Sequence, residues 1–341
     1  MSILFQPHAG DPQAPTPFPS RPIGPLWRRI VAALVDAIIL VVAGNVMALP
    51  FFDTLSRLGA WGPLIGFCVA LPYYGLLNSR AGNGQTPGKR LLHLQVVNAN
   101  GETISVTKSL VRYAVLIAPF LLNEMTLPIT RTPKFIFYLM SVIVFGLGSM
   151  TIYLVLFNRK TRQGVHDLAV GSYVAEADET GALKVQRIWK GHWVVGGALV
   201  VLFVVGGFVL EGSIQKLYDF PMMFADARLI EEMEGVQSVD VNDWTWTSWS
   251  GGGKKTIYDV RVSWSGKKAQ GEWIATEVAS RILQHNTQVM GRNFLRIEIV
   301  RGYNLGIARA WVNHRFEDTP ANWKMKLRER PTQQPLAPAK L

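Results

Sequence analysis

Five apolar runs, Ile30 to Pro50, Trp61 to Leu77, Leu110 to Leu122, Phe135 to Phe157 and Trp193 to Leu210, leave this chain few folds to choose from. Each is as long as, or nearly as long as, the roughly 20 residues a helix needs to cross about 30 Å of hydrocarbon. Lipid offers the backbone no hydrogen-bond partners, so such runs span as helices that satisfy their own N–H and C=O groups. The third run is the shortest. It carries Arg112 near its start and Pro119 inside it, which predicts a helix that extends towards Met125, tilts or breaks. The reading is a polytopic α-helical membrane bundle of about four spans, with the fifth run as a further anchor helix.

Composition does not decide this, because 49% hydrophobic residues and a net charge of +11 suit an apolar soluble enzyme as well as a membrane protein. The placement of the basic residues does. Arg21, Arg28 and Arg29 precede the first run, Arg80, Lys89, Arg90, Lys108 and Arg112 follow the second, and Arg159, Lys160, Arg162, Lys184, Arg187 and Lys190 follow the fourth. The intervening connections hold Arg57 on one side and Arg131 with Lys134 on the other. Basic loops stay cytoplasmic, so the N-terminus is expected inside and the chain after Leu210 outside. Much of the positive charge is then a topology signal, and nucleic-acid binding is not expected. Met1 to Pro25 is proline-rich and lacks an apolar core followed by a small-residue cleavage site, so it reads as a disordered cytoplasmic tail and not a signal peptide.

Asp36 enters the first run seven residues after Arg29, two helical turns on, which puts both side chains on one face with the aspartate about 10 Å further along. An aspartate at the centre of a spanning helix costs about 2.5 to 3.5 kcal/mol, so it faces a protein interior, a wet cavity or a partner. A carboxylate there can take a proton or a small cation in turn, since desolvation raises its pKa and a nearby cation lowers it. The plainer reading is a tether, Asp36 to Arg29 or to a Thr or Tyr, that orients the bundle.

Three stretches carry a resemblance. Trp27-Arg-Arg-Ile-Val-Ala-Ala-Leu-Val-Asp36, Gly84-Gln-Thr-Pro-Gly-Lys89-Arg with Leu94 to Glu102, and Arg162-Gln-Gly-Val-His-Asp167 through Val174 resemble the RDD family of bacterial membrane proteins over about Pro22 to Ala175. The family's arginine falls on Arg29, its aspartates on Asp36 and Asp167, and its loop motif on Gly84, Gln85, Thr86, Gly88 and Lys89, with Pro87 where an aliphatic residue is more usual. The resemblance implies an inner-membrane protein suspected of transport, sodium/proton exchange among the activities attributed to members.

Gly84 to Lys89 is not a phosphate loop. That motif needs Gly-x4-Gly-Lys-Ser/Thr between strand and helix, and here Arg90 follows. Leu92 to Val97 and Thr103 to Val106 read instead as a small cytoplasmic hairpin around the turn from Asn98 to Gly101. Lys89, Arg90 and Lys108 would then face anionic lipid heads, worth about 1 kcal/mol each.

Beyond Leu210 the pattern is that of a soluble α+β domain in the order α-β-β-α-β-β, thinning after Thr319 into a Pro/Gln-rich tail. It holds Trp244, Trp246, Trp249, Trp264, Trp273, Trp311 and Trp323. Trp264 and Trp273 fit buried stripes, whereas Trp244 and Trp246 share one strand face and suit contact with an envelope protein, a glycan or the outer leaflet. Cys68 has no intramolecular partner and reads as a small lipid- or core-facing residue. His93, His166, His285 and His314 lack metal-ligand spacing, and no hydrolase or zinc motif is present, so neither enzyme chemistry nor a cofactor is expected. His166 beside Asp167 admits a proton relay, the ordinary alternative being a surface hydrogen bond.

The expected domains are a tail at 1–25, an RDD-like membrane domain at 26–175, a linker at 176–191, the fifth helix at 192–211, an extracytoplasmic α+β domain at 212–320 and a flexible tail at 321–341. One function is transport of a cation or small solute through Asp36, with Arg29 as counter-charge and Asp167 as cytoplasmic gate. No internal repeat is evident, so transport calls for a homo-oligomer, with Gly196-Gly197 and Gly206-Gly207 as close-packing surfaces. The alternative is a non-catalytic scaffold or sensor whose external domain binds an envelope partner.

Overall fold

Pro50 ends the first helix, as a residue without an N–H and with a fixed φ must. In the computed structural model α1 runs Leu26–Ala48, a 3-10 turn at Leu49–Phe51 takes up the proline, and a short α2, Phe52–Leu55, follows. The structure describes residues 21–128, 132–184, 187–214, 220–247, 253–266 and 271–329. The expected tail up to residue 20, Trp249, Gly251, Gly252 and the chain after 329 lie outside the described residues.

Among the described residues, four helical stretches are long and apolar enough to cross a membrane: Leu26–Leu55, Gly59–Leu77, Val106–Asn123 and Lys134–Phe157. The second contains α3 (Gly62–Leu77) and the third is α5 (Val106–Asn123), which passes through Pro119 as one helix. The fourth joins α6 (Lys134–Ser141) to α7 (Gly148–Phe157) through a π-helical segment at Val142–Leu147. The later helix α9, Gly191–Ile214, is apolar in sequence from Trp193 to Leu210, and its described side chains end at Gly206. On α1, Leu34, Ile38, Val42 and Val46 are all more than half exposed, a stripe that water would not tolerate and lipid would cover.

The chain divides into two units. In the first (Met1–Asp36, Tyr74–Val115 and Ile152–His192), the short helix α4, Pro87–Leu91, is followed by β1, Leu94–Val97. Strand β1 pairs antiparallel with β2, Tyr173–Glu176, which follows α8, Val165–Val170. The expected local hairpin is therefore corrected. Its turn is present, with Asn98 Oδ1 accepting from the N–H groups of Asn100 and Glu102, but its second strand is reduced to one bridge, Val97 to Thr103. Ser105 Oγ accepts from Lys108 N–H and starts α5, so the chain is helical before a ladder can form. Leu94, Val96, Ile104, Val174 and Ala32 close a small core instead.

The second unit (Ala37–Tyr73, Leu116–Thr151 and Trp193–Leu341) includes the sheet-rich C-terminal region. Its elements are α10 (Phe220–Glu231), β3 (Val236–Thr247), β4 (Lys254–Trp264), α11 (Gly271–His285), β5 (Phe294–Asn304), β6 (Arg309–Asp318) and α12 (Pro320–Glu329). The sheet order is β3-β4-β5-β6, antiparallel except for the parallel β4–β5 pair that α11 connects. Val260, Val262, Ile297 and Leu295 on the sheet meet Ile230 of α10 and Ile274, Val278 and Ile282 of α11 in a dry core. Two expectations are corrected here. Residues 320–329 are helix and not tail, because Trp323 buries itself in that core and its indole N–H donates to Leu295 O at 2.9 Å. Trp273 is 38% exposed, one position off the buried stripe of α11.

Within this unit the β5–β6 turn seats on helix backbones. A β-carbon at Gly66 would lie 1.7 Å from Leu305 O, and one at Gly62 2.2 Å from Asn304 O, so only glycine admits the turn. Ala48, Tyr303, Leu305 and Ala308 form a core there with Phe52, Leu55, Leu58 and Ile307 around it. Arg301 pairs with Asp53 at 2.7 Å, Asn304 Nδ2 donates to Glu124 at 2.6 Å, and Gln237 Nε2 donates to Ser56 O at 3.0 Å.

Candidate functional site

The first unit gathers its buried charges around Asp167, on α8 with no exposed surface. Arg112 Nε of α5 and Ser172 Oγ donate to Oδ1 at 2.7 and 2.8 Å. Arg29 Nη2 of α1 reaches Oδ2 at 3.1 Å, and His166 Nε2 stands 3.3 Å from it. A carboxylate has about four lone-pair sites, so these four groups saturate it. Burial alone would raise the Asp167 pKa, but Arg112, His166 and Arg29 outweigh it and hold the carboxyl well below its usual range.

The loop before α8 is built to aim Arg29. Asn158 Nδ2 donates to Thr161 Oγ1 at 2.7 Å, and Gln163 Nε2 to Ser172 O at 2.9 Å. Arg162 sits at φ +53°, and its carbonyl accepts from Arg29 Nη1 at 2.6 Å. His166 is buried, and that burial lowers its pKa, so the ring is neutral at pH 7. With Nε2 donating to Asp167, Nδ1 is a buried acceptor that lacks a donor among the described residues. The expected surface hydrogen bond is thus corrected to an interior one.

Asp36 is also fully buried, but its known partners differ in kind. Thr86 Oγ1 donates to Oδ2 at 2.5 Å and Gly88 N–H to Oδ1 at 2.9 Å, both neutral groups at the start of α4. The loop motif makes this approach possible. Thr86 caps α4, Gln85 Nε2 donates to Leu94 O at 2.9 Å, and Gly84 takes φ +67° with Val96 O 2.5 Å from where a β-carbon would stand. A β-carbon at Gly88 would meet Ala32 O at 2.1 Å and Asp36 Cγ at 3.0 Å.

Lys89 follows directly. Desolvation, with Arg112 and Arg29 adding to it, brings its ammonium pKa down to about 7, while Asp36 and Asp167 act in the opposite sense. Its side chain is half-buried, and it does not join Arg90 and Lys108 on the exposed surface as expected.

Of the residues singled out in the sequence, Arg29 and Asp167 come together, whereas Asp36 goes to Thr86 and Gly88. Arg29 as counter-charge of Asp36 gives way to Arg29 as partner of Asp167. The predicted Thr tether on Asp36 is found. Arg112 and Ser172 were not singled out. Arg112 offered a signal, a guanidinium opening an apolar run, but it was absorbed by the topology argument. Trp244 and Trp246 lie far along β3, 57% and 70% exposed.

Residues 23–171 match the model of the RDD family, and the C-terminal domain is assigned to no family. No curated protein and no solved structure matches the chain.

Proposed function

We propose, on the premise that residues 23–171 are an RDD-family membrane domain, that this protein exchanges a small cation for a proton at Asp36. The observation that carries the reading is the contrast between two buried carboxylates. Asp167 is held by two arginines, whereas Asp36 accepts from Thr86 Oγ1 and Gly88 N–H and acts on Lys89, an ammonium whose pKa is brought down to about 7. With Lys89 protonated, its charge balances Asp36. When Lys89 releases that proton, a monovalent cation entering beside Asp36 takes over its charge, so one cation replaces one proton and the buried charge is conserved. Arg29, Arg112 and Asp167 are then a lock that ties α1, α5 and α8 together, not a gate.

The setting is that of a non-catalytic bacterial inner-membrane protein with a cytoplasmic N-terminus and an extracytoplasmic C-terminal domain. The alternation of basic loops supports it, and so do the contacts of Asp53, Ser56 and Glu124 with the C-terminal domain, which this topology would require. A homo-oligomer would supply the second half of a transport path.

Proteoliposomes test the reading through proton flux on adding sodium, lithium or potassium. Wild type should give cation-dependent flux, Asp36→Asn none, and Lys89→Met a cation leak without proton movement. Flux unchanged in Asp36→Asn would refute it. A scaffold role cannot be separated by cutting after Leu210, because the cut would also bare the Gly62 and Gly66 notch.

A further inference from the structure

The C-terminal sheet carries its helices on one face. Ile230 of α10, Ile274, Val278 and Ile282 of α11 and Trp323 of α12 pack there with Val260, Val262, Leu295 and Ile297. Strand alternation turns the residues between to the opposite face, and the pairing sets them in rows across β3, β4, β5 and β6. One row is Asp240, Arg261, Glu298 and Arg315, and the next is Asn242, Asp259, Arg296 and Glu317. A third, Trp244, Ile257 and Phe294, is apolar. The charges are only partly answered within the chain. Arg296 pairs with Glu317 at 2.6 Å and Arg261 with Glu298 at 3.8 Å, but Asp259 Oδ1 has no hydrogen-bond donor among the described residues.

The membrane domain limits how a second copy can cover this face. Gln237 at the start of β3 and Arg301 and Asn304 at the end of β5 meet Ser56, Asp53 and Glu124, so the sheet stands on the connections after α1 and α5 by one end of its strands. Two copies in one bilayer are related by a twofold axis along the membrane normal, and their sheets can meet face to face only with strands running the same way. An axis in front of the bare face, between β4 and β5, sets β4 against the second copy's β5 and β3 against its β6. Arg261 then faces the second copy's Glu298, Asp259 its Arg296, Asp240 its Arg315 and Ile257 its Phe294, each contact being made twice. An axis over β4 or over β5 would set Arg261 or Glu298 against itself, so charge selects the central one.

We infer that the bare face is a homodimer interface, closed by a second copy of this chain in a twofold sandwich with an apolar end and a charge-complementary middle. The inference names the contact surface of the homo-oligomer proposed above. It rests on the membrane setting of that reading and not on ion exchange at Asp36, and association can be measured where flux is absent.

A charge swap between copies tests it. Full-length Asp259→Arg and Arg296→Glu chains, carrying different tags, are prepared separately and by co-expression, and association is read by light scattering in detergent and subunit counting in proteoliposomes. Wild type should form dimers. Each variant alone should dissociate about tenfold more readily, a loss of about 1.4 kcal/mol, because like charges then oppose at both contacts. In the mixed dimer the arginine replacing Asp259 meets the glutamate replacing Arg296, and the untouched Asp259 and Arg296 meet each other, so the two tags should co-purify with near wild-type affinity. Mixing would not repair damage within one chain's own sheet. Melting curves check each variant, and Arg261→Glu with Glu298→Arg repeats the swap one row along where the first pair melts early. Monomeric wild type, folded variants that dimerise as wild type does, or mixed variants that associate no better than either alone would overturn the inference.

Discussion

Arg112→Met isolates what the buried lock contributes. In the wild type Arg112 Nε donates to Asp167 Oδ1 at 2.7 Å and to Ser172 Oγ at 3.2 Å, on a carboxylate with no exposed surface. Removing one partner of a buried ion pair costs about 3 to 5 kcal/mol, because the other charge stays in a low-dielectric site. The lower end applies here, about 3 kcal/mol, since Arg29 and Ser172 still reach Asp167. Methionine keeps most of the aliphatic volume, so the cavity penalty is small. The expected consequence is a melting temperature lower by roughly 6 to 12 °C in detergent. Hydrogen exchange should accelerate through residues 158–172, where the lock's loop and α8 lie. Asp167→Asn in the Arg112→Met background also takes away the counter-charge of Arg29 and should lower the melting temperature further. Near-wild-type melting of Arg112→Met, or a double variant as stable as the wild type, would refute the account of Asp167 as a charge stabilised mainly by that guanidinium.

Lys89 should titrate near pH 7 in folded protein, as read by the pH dependence of its acylation; in Asp36→Asn the midpoint should move lower still, since the Asp36 charge raises it. The pKa of Asp167 is depressed on folding, so its contribution is present above the unfolded value of about 4 and is lost as pH falls below that towards the folded value. Acid unfolding followed by circular dichroism should accordingly be less steep in Asp167→Asn, and an unchanged acid limb would contradict the depressed value. Gly66→Val places a side chain against Leu305 O and should cost about 1 to 3 kcal/mol at the turn. Limited proteolysis would then cut between Asn304 and Ile307, and full protection of that turn in the variant would show that the contact is not what holds it.

The sequence made the helices legible because bilayer thickness and backbone hydrogen bonding leave apolar runs one solution. Even Pro119 did not break α5. The α-β-β-α-β-β order was legible too, since Tyr258, Val260, Val262 and Trp264 alternate on one face of β4. Residues 320–329 were not, because their helix depends on where a single indole, Trp323, finds a carbonyl of β5.

The candidate site divides along the same line. Sequence alone determined that Asp36 and Asp167 are costly enough to need partners, and the motifs named Arg29 and the Gly84 to Lys89 loop among the residues that matter. Only the tertiary structure decided who pairs with whom. Helical periodicity places Arg29 and Asp36 on one face, but a guanidinium on a long flexible stem goes to the carboxylate with the better geometry, and Asp167 arrives from 138 residues away. Asp36 accepts from a hydroxyl and an amide 50 and 52 residues along the chain. Local spacing fixes which face a side chain occupies. The packed interior selects its partner, and desolvation there lowers the pKa of Lys89.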